Sequence, residues 1–209
     1  MWVMATQTRE RMIETTAGLL QRRGYYGTSL NDILKESGAP RGSLYFHFPG
    51  GKDQLVLEAT RRAIDETTRE IAEILDAAET PARGVRSIFE ATARLMDESD
   101  FAFGCPVAPL VLDSPVDHPE LAELCRTTFE EWVALIRDRF LRAGIDESRA
   151  HSLALLVESA LEGLLLMSRA LGTSEPHEAV AAELERAIMA ATPPATAGEA
   201  DPLGASAAQ

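Results

Sequence analysis

Apolar residues recur along this chain at the three-to-four-residue spacing of amphipathic helices. In the first such segment Ile13, Ala17 and Leu20 share one face, and Gly24 ends the pattern. Runs of β-branched residues that alternate with polar ones, as in a half-buried strand, are absent from the sequence. The pattern predicts an all-α protein.

Capping residues and prolines divide this pattern into separate helices. Ser29 followed by Asp32 has the form of a capping box, and Pro81 after Thr80 suits the first turn of a helix. Glycines end several of the segments. The predicted helices cover about residues 8–23, 30–35, 40–47, 52–78, 81–96, 107–112, 119–143, 146–171 and 174–191.

Charge is divided unevenly along the chain, whose net charge is −13. Residues 1–52 carry seven Lys and Arg against four Asp and Glu, a net +3, and the other 157 residues carry a net −16. An acidic body discourages unspecific adhesion to phosphate and leaves binding to one local basic surface. We therefore divide the chain into a basic domain (residues 1–52), an acidic helical domain (residues 53–192) and a small, polar tail (residues 193–209) that we expect to be disordered.

The sequence does not indicate a membrane-spanning or secreted protein. No apolar run approaches the roughly 18 residues of a membrane span, and the N-terminus lacks the charge and apolar order of a signal peptide. Cys105 and Cys125 are the only cysteines, and their spacing is not that of a metal site. We expect two reduced thiols in a cytoplasmic protein.

The stretch from Gly38 to Leu55, GAPRGSLYFHFPGGKDQL, combines glycines, aromatics and basic residues. A phosphate-binding nucleotide loop would need a hydroxyl residue after Gly51–Lys52, but Asp53 stands there and the preceding segment is helical. The better interpretation is a helix-turn-helix, in which two short helices meet at Gly38 and the second enters the major groove of DNA.

The second helix of this motif carries residue types that suit DNA recognition. Arg41, Gly42 and Ser43 in its first turn would lie nearest the base edges, because arginine can pair bidentately with guanine and glycine permits a close approach. Tyr45 and His47 can reach phosphates. This helix is the predicted DNA-contacting element.

These residues resemble the DNA-binding domain of the tetracycline-repressor (TetR) family over about residues 8–55. The matching features are Gly24, the segment TSLNDI from Thr28, the segment GAPRGSLYFHF from Gly38, and Lys52 at the start of the fourth helix. The doubled glycine before Lys52 departs from the family pattern, in which many members have a shorter link. The segments YFHFPGGKDQL and FGCPVAPLVLD resemble the subgroup typified by the LmrA and YxaF multidrug-type repressors.

The resemblance implies a homodimer on a palindromic operator and an effector pocket in the C-terminal helices, whose occupation releases the DNA. It implies no catalytic residue, no cofactor and no metal. The motif and the resemblance together suggest the DNA-contacting residues Thr28, Ser29, Arg41, Gly42, Ser43, Tyr45, Phe46, His47 and Lys52.

Large apolar side chains gather around the irregular segment FGCPVAPLVLD and its neighbouring helices. Taken singly, each is best explained as core packing, but together they are the expected lining of an effector cavity. The predicted lining comprises Phe89, Met96, Phe101, Phe103, Cys105, Val107, Leu110, Phe129, Trp132, Ile136, Phe140, Glu158 and Glu162.

Glu158 and Glu162 lie four residues apart, on one face of an otherwise apolar helix. Their burial would be costly unless the carboxylates meet a positive charge. A structural arginine, such as Arg94 or Arg137, is the first interpretation, and a cationic ligand is the alternative.

The helix predicted over residues 146–171 is apolar nearly all round, which leaves it no side that favours solvent. One side packed on its own domain and the other on a second copy of the chain would give a dimeric four-helix bundle. The residues expected at the dimer interface are Leu153, Leu156, Val157, Ala160, Leu161, Leu164, Met167 and Leu171.

Two other function classes stay open at this point. A helical enzyme would need a catalytic constellation, and the four histidines show no nucleophile or metal spacing around them. The cluster of Asp113, Asp117, His118 and Glu120 could suggest a metal, but helix capping explains Asp117 and Glu120 without one. An architectural DNA-binding protein would carry positive charge throughout, unlike this chain. The sequence favours a repressor that a small hydrophobic or amphipathic effector releases from DNA.

Overall fold

The computed structural model describes residues 2–113 and 118–194, with side chains from residue 6 onward. In this part of the chain all regular structure is helical, which confirms the predicted all-α class. Every predicted helix is present, although the first begins at Trp2 rather than near Thr8. The tail beyond residue 194, like Asp117, lies outside the described residues. The helices are α1 (Trp2–Arg23), α2 (Leu30–Ser37), α3 (Arg41–His47), α4 (Gly51–Ala77), α5 (Pro81–Glu98), α6 (Ala108–Leu112), α7 (Pro119–Arg142), α8 (Glu147–Leu171) and α9 (Glu175–Ala191).

Side-chain caps fix the starts of two functionally placed helices. Before α2, Ser29 Oγ accepts the Asp32 N–H at 3.1 Å and the Asp32 carboxylate accepts the Ser29 N–H at 3.3 Å, which completes the capping box. Before α8, Asp146 Oδ1 accepts the N–H groups of Ser148 and Arg149 at 3.1 and 3.3 Å. These caps satisfy helix N–H groups that would otherwise lack partners, so each helix begins at a defined residue.

The first three helices form a small unit, which we call the head. Helix α1 packs against α2 and against the first part of α4. The apolar core of the head includes Met12, Leu19, Leu20, Ile33, Leu44, Phe48 and Leu55. Helix α4 then runs without a break from Gly51 to Ala77, so it leaves the head and continues into the rest of the fold.

Helices α5 to α9 form a second unit with the later part of α4, and we call this unit the body. Helix α5 lies against α9, and α7 lies against α8. The Arg86 guanidinium on α5 forms ion pairs with Glu178 and Glu185 on α9. Apolar packing and these ion pairs hold the two helices side by side.

Helix α8 is long and apolar enough to cross a membrane by length and composition, with a mean hydropathy of 1.4. It packs against α7 and α9, and Leu153, Val157 and Leu164, at successive spacings of four and seven residues, are buried in the fold. A core helix of a helical domain has the same composition, so this helix is weak support for a membrane span. The remaining side of α8 is exposed.

Candidate nucleic-acid interface and internal cavity

Helix α3 combines an anchored side with an exposed aromatic side. Leu44 is 2% exposed and Phe48 is fully buried, whereas Tyr45 and Phe46 are 63% and 75% exposed. Neighbouring aromatic side chains that the fold leaves exposed are typical of a surface that binds a partner. Since Arg41 is exposed on the same helix, this side of α3 is the candidate nucleic-acid interface.

The first turn of α3 is open to an outside partner. Gly42 is exposed, and a Cβ added there would meet no atom of the chain within 4 Å. The packing of the chain therefore does not require glycine at this position, although a closely approaching partner would. Ser43 and His47 are half-buried, and the His47 ring meets the Phe46 ring edge-on with 4.9 Å between centroids.

Thr28 lies in the interior, contrary to the prediction that it contacts DNA. Its side chain is fully buried, and its Oγ1 donates to the carbonyl oxygen of Gly24 at 2.7 Å. The residue therefore shapes the turn between α1 and α2. Ser29 is exposed, but its hydroxyl is engaged with Asp32 in the cap of α2.

Lys52 points towards the loop after α1. Its Nζ donates to the carbonyl oxygen of Tyr25 at 2.9 Å and lies 3.9 Å from the centre of the Tyr25 ring. Partial burial lowers the pKa of Lys52. Because an ammonium group has three N–H donors, a phosphate contact through the others stays a prediction beside this structural role.

The same loop contacts the body. The Tyr25 hydroxyl donates to Asp53 Oδ1 at 2.5 Å, and the His118 ring lies 4.5 Å from the Tyr25 ring. The Tyr26 N–H donates to Asp113 Oδ2 at 3.2 Å. We call these residues (Tyr25, Tyr26, Asp53, Asp113 and His118) the junction. Sequence reasoning missed it because its hydrogen-bonded partners are 28 and 87 positions apart, and no local pattern links them.

Gly24 lets the junction close. Its φ of 67° lies in the left-handed region, and an added Cβ would overlap the Asp113 carboxylate. Glycine adopts this φ at little cost and has no Cβ, so it meets both demands. Asp113 can therefore approach the end of α1 closely.

The body contains a partly open cavity, which we call the inner cavity, between α4, α5, α7, α8 and the segment before α6. Its empty space, the mouth included, is ≈ 750 Å³. Four predicted residues line it: Cys105, Trp132, Glu158 and Glu162. Its walls also include apolar residues that the sequence did not single out, among them Ile71, Ile74, Ile88, Leu95, Leu161 and Leu165.

A second opening, which we call the side cavity, adjoins the inner cavity. Its empty space, with its mouth, is ≈ 930 Å³, and both cavities are lined by Cys105 and Glu162. The predicted Phe129 lines the side cavity. Arg169 at its edge donates to the carbonyl oxygens of Phe101 and Ala102 at 3.1 and 2.7 Å. That arginine therefore ties α8 to the segment that follows α5.

The other predicted lining residues face neither of these two cavities. A side chain that is completely enclosed by neighbouring atoms belongs to the packed core. It does not border an empty space. The buried core residues are Phe89, Met96, Val107, Leu110, Ile136 and Phe140. Phe101 and Phe103 are half-buried in the irregular segment after α5. For these eight residues the predicted place in the pocket is corrected.

Glu158 is a buried carboxyl group with one unpartnered oxygen. It is 6% exposed, and its Oε1 has no hydrogen-bond partner within the described residues. Burial, with the nearby charge of Glu162, raises the pKa of Glu158 to about 8. Burial also raises the pKa of Glu162.

The structural-arginine interpretation of this pair is wrong. Among residues 2–113 and 118–194, neither glutamate forms an ion pair with Arg94 or Arg137. Arg137 pairs with its neighbour Asp138 at 3.0 Å, and Arg94 is exposed. The alternative interpretation, a cationic ligand, stays a prediction.

Cys105 is held as a thiol beside the carboxyl pair. Its Sγ accepts the N–H groups of Val107 and Ala108, each at 3.3 Å. Burial, together with the charge of Glu162, raises the pKa of Cys105 well above its usual value. Because the thiolate is the reactive form, this position favours an unreactive lining residue.

The residues predicted for a dimer interface fall into two groups. Four of them are buried in the core of the single chain, because α8 packs on α7 and α9: Leu153, Val157, Leu161 and Leu164. Their side chains face the interior and are absent from the surface of the body. This part of the predicted interface is corrected.

The second group lies on the outer side of α8. Leu156, Met167 and Leu171 are 50%, 49% and 61% exposed, and Ala160 is half-buried. Leu155 and Leu166, which the sequence analysis did not select, are 45% and 65% exposed on this side as well. Large apolar side chains thus cluster on the surface of α8, which is typical of a protein interface. We call them the outer face of α8.

Known protein families match both units of the chain. Residues 12–59 match the profile of bacterial regulatory proteins of the tetR family, and residues 81–183 match the C-terminal domain of LmrA/YxaF-like transcriptional regulators. The HTH-type transcriptional regulator LmrA of Bacillus subtilis (strain 168) is 35% identical over 169 residues, which are 81% of this chain and 90% of that protein.

Solved structures share the fold. A TetR transcriptional regulator from Chloroflexus aurantiacus J-10-FL has a TM-score of 0.78 at 27% identity, over 90% of this chain and 97% of that one. A cysteine mutant of the TetR family regulator CifR, complexed with 26-bp double-strand operator DNA, has a TM-score of 0.74 at 24% identity. That comparison covers 88% of this chain and 96% of the CifR chain.

Proposed function

The chain belongs to the tetracycline-repressor family of DNA-binding transcriptional regulators, and we propose that it is a ligand-responsive repressor. In this proposal a homodimer binds a palindromic operator. A small hydrophobic or amphipathic effector then enters the inner cavity and releases the DNA. The course of α4 is the single observation that carries the proposal.

Helix α4 links the head to the inner cavity. It begins at Gly51, directly after α3, and Thr67, Ile71 and Ile74 on its later turns line the cavity. The helix rises by roughly 35 Å between Gly51 and Ile74 at 1.5 Å per residue. A ligand that displaces α4 at the cavity therefore changes the position of its first turn, and with it the head.

The exposed side of α3 supplies the DNA contacts in this proposal. Arg41, with Gly42 and Ser43, meets the base edges, and Tyr45 and Phe46 pack against the sugar-phosphate backbone or the bases. His47 and Lys52 contribute phosphate contacts at the edge of this surface. The local net charge of +3 over residues 1–52 supports such a surface on an otherwise acidic chain.

The outer face of α8 supports the homodimer. A palindromic site presents two identical half-sites about 34 Å apart, so two heads related by a two-fold axis can bind it together. Burial of the exposed leucines of α8 against a second copy removes their apolar surface from water. The two copies would also keep their heads at a fixed separation, which a ligand could alter.

The relatives that match the chain are named transcriptional regulators, which accords with a regulator rather than an enzyme. We place the repressor in the cytoplasm, where it would meet its DNA. A purely architectural DNA-binding protein is the competing function within the DNA-binding class. It would bind any sequence alike and have no use for the inner cavity.

Fluorescence anisotropy tests this proposal with the full chain and the DNA that precedes its own gene. At physiological salt we expect an inverted repeat in this DNA to bind on the order of 10³-fold more tightly than a scrambled sequence of the same composition. The bound species should contain two chains for each repeat, as measured by sedimentation. Equal affinity for both DNAs would support the architectural function and contradict specific repression.

A further inference from the structure

We propose that the effector of this chain carries a protonated amine on a hydrophobic body, and that the amine binds between the carboxyl groups of Glu158 and Glu162 in the inner cavity. That such a ligand acts as an effector, and so releases the DNA, rests on the proposed function. The binding itself can be measured without DNA.

Glu158 has unmet hydrogen-bonding capacity inside the inner cavity. Its side chain lines the inner cavity and is 6% exposed, and within the described residues its Oε1 has no hydrogen-bond partner. A buried polar atom without a partner costs free energy that a ligand donor can recover. Glu158 therefore marks a place in the cavity where a donor fits.

The two carboxyl groups are closely spaced. Glu158 and Glu162 are one helical turn apart and both line the same cavity. Two carboxylates that share a site cannot both ionise cheaply, and burial adds to this cost. The raised pKa values of both groups agree with that cost. A ligand cation between them favours the ionised forms, because each carboxylate then has an opposite charge nearby.

The whole lining of the inner cavity favours a cation. The other polar groups that line the inner cavity are the hydroxyls of Thr67 and Thr92, the Cys105 thiol and a third carboxyl group, that of the exposed Glu70. No Lys, Arg or His stands among its described lining residues. The lining therefore offers hydrogen-bond acceptors and carboxyl groups that can ionise beside a cation, and it offers no positive charge to attract an anion.

The apolar walls of the inner cavity suit the hydrophobic body of such a ligand. The cavity walls are mostly aliphatic, with Ile71, Ile74, Ile88 and Leu161 around the carboxyl pair. The indole N–H of Trp132 already donates to Thr68 Oγ1 at 2.8 Å. The tryptophan thus contributes apolar surface rather than a free donor. Apolar walls with charge confined to one side fit an amphipathic amine.

A matched pair of fluorescent compounds tests the inference: 1-pyrenemethylamine, which is a cation at neutral pH, and 1-pyrenemethanol, which is neutral. Both have the same aromatic body, so the ratio of their dissociation constants reports the value of the charge. We expect the amine to bind the full chain at least about tenfold more tightly than the alcohol, since a hydrogen bond between two charged groups is stronger than one from a neutral hydroxyl.

Glu158→Gln and Glu162→Gln keep the size of each side chain and remove its charge. Each should reduce the preference for the amine to about twofold or less. Glu73→Gln is the matched control, because Glu73 is exposed on α4 and does not line the cavity. It makes the same change in net charge and should keep the full preference. Thermal unfolding of each variant checks that it is folded.

Calorimetry in two buffers of different ionisation enthalpy gives an independent readout. The amine should release a proton from the carboxyl pair to the buffer at pH 7, because the ammonium stabilises the ionised carboxylates. The alcohol should release none. A buffer-independent enthalpy for the amine would contradict its binding between the two carboxyl groups.

Several results would overturn the inference: equal affinities for the two compounds, tighter binding of the alcohol, binding of neither, or a preference that survives in both glutamine variants. The repressor proposal is judged separately, by the preference for the inverted repeat. If the alcohol alone displaces the DNA, that proposal stands and the amine inference fails. If the amine binds but the chain has equal affinity for the inverted repeat and the scrambled DNA, the amine inference stands and the repressor proposal fails.

Discussion

The Tyr25 hydroxyl donates a 2.5 Å hydrogen bond to Oδ1 of Asp53 and so joins the loop after α1 to the first turn of α4. Burial, together with this bond to Asp53, raises the pKa of Tyr25, so the phenol stays protonated and continues to donate at physiological pH. The His118 ring packs against the same phenol from the start of α7. One side chain of the head therefore contacts both α4 and the body.

Tyr25→Phe should lower the free energy of unfolding by about 1–2 kcal/mol, because it removes this hydrogen bond and leaves Asp53 without its donor. The ring contacts to Lys52 and His118 are retained. Urea denaturation measures the change. Tyr26→Phe is the control, since Tyr26 is 62% exposed, and it should alter stability by less than about 0.5 kcal/mol. Equal effects of the two changes would mean that the bond to Asp53 adds no stability.

Tyr45→Ala should weaken operator binding by about tenfold or more and leave the melting temperature nearly unchanged. The side chain is 63% exposed and adds little to the core, so its loss acts on the contact with DNA. Leu44→Ala should instead lower the melting temperature, because Leu44 is 2% exposed and its loss destabilises the core of the head. Anisotropy titrations and thermal unfolding separate the two effects. Unchanged DNA affinity in Tyr45→Ala would remove this side of α3 from the interface.

Lys52→Met should have two separable effects. Loss of the bond to the Tyr25 carbonyl should lower the free energy of unfolding by about 1 kcal/mol. Loss of a phosphate contact should weaken binding to all DNA sequences alike and reduce the slope of log K against log salt by about one. Arg41→Ala should instead relax base preference without changing stability. If Lys52→Met changes stability but not the salt slope, its role is confined to the fold.

Leu166→Glu should convert the proposed dimer to a monomer. It places a charge on the outer face of α8, where Leu166 is 65% exposed in the single chain and so is not needed for its core. Sedimentation velocity should show the shift, and operator affinity should fall with it. Ala122→Glu adds the same charge at an exposed site on the first turn of α7 and should stay dimeric. A dimer that survives Leu166→Glu would move the interface elsewhere.

Glu158 should make stability depend on pH. Its pKa of about 8 in the folded chain lies above the ordinary value of 4.5, so between these values the folded chain keeps a proton that the unfolded chain has lost. The free energy of unfolding therefore falls as pH rises through this interval, and the fall ends about one pH unit above the pKa of Glu158 in the folded chain. Between pH 5 and pH 9 the free energy of unfolding of Glu158→Gln should fall by roughly 3–5 kcal/mol less than that of the wild type.

Urea denaturation at several pH values tests the effect of Glu158, with Glu73→Gln as the control for a change of net charge. The curve of Glu73→Gln should run parallel to that of the wild type. If the curve of Glu158→Gln is parallel as well, Glu158 is not protonated in the folded chain.

Helix positions followed from the sequence because their causes are local. The Ser29–Asp32 box acts within three residues, and the structure contains the same capping box. Apolar spacing likewise placed Ile13 and Leu20 on one face of the first helix, and both are buried in the structure. Local chemistry thus sufficed for the order and type of the helices.

The cavity lining could be predicted only in part, because core and cavity residues have the same composition. Phe89 and Phe140 are as apolar as any wall residue, yet both are fully buried in the core. Ile71 and Ile74 line the cavity although their spacing suggests an ordinary packed helix. Only the tertiary arrangement of helices decides which apolar side chains border a space.

The side chain of Thr28 was misplaced for a related reason. Thr28 has the residue type of a DNA contact, but its buried hydroxyl donates to the backbone carbonyl of Gly24. A sequence motif gives the residue type and not the direction of the side chain. The carboxyl group of Glu158 illustrates the converse, since its helical spacing indicated an unusual site before its surroundings were known.

The contact between Gly24 and Asp113 restricts how this protein can evolve. Any side chain at position 24 would have to displace the Asp113 carboxylate and also adopt an unfavourable backbone conformation at φ 67°. A substitution at this position should therefore disturb the contact between Asp113 and the loop after α1, at a distance from both α3 and the inner cavity. Mutants selected for permanent loss of repression should include changes at this codon, at a distance from both binding sites.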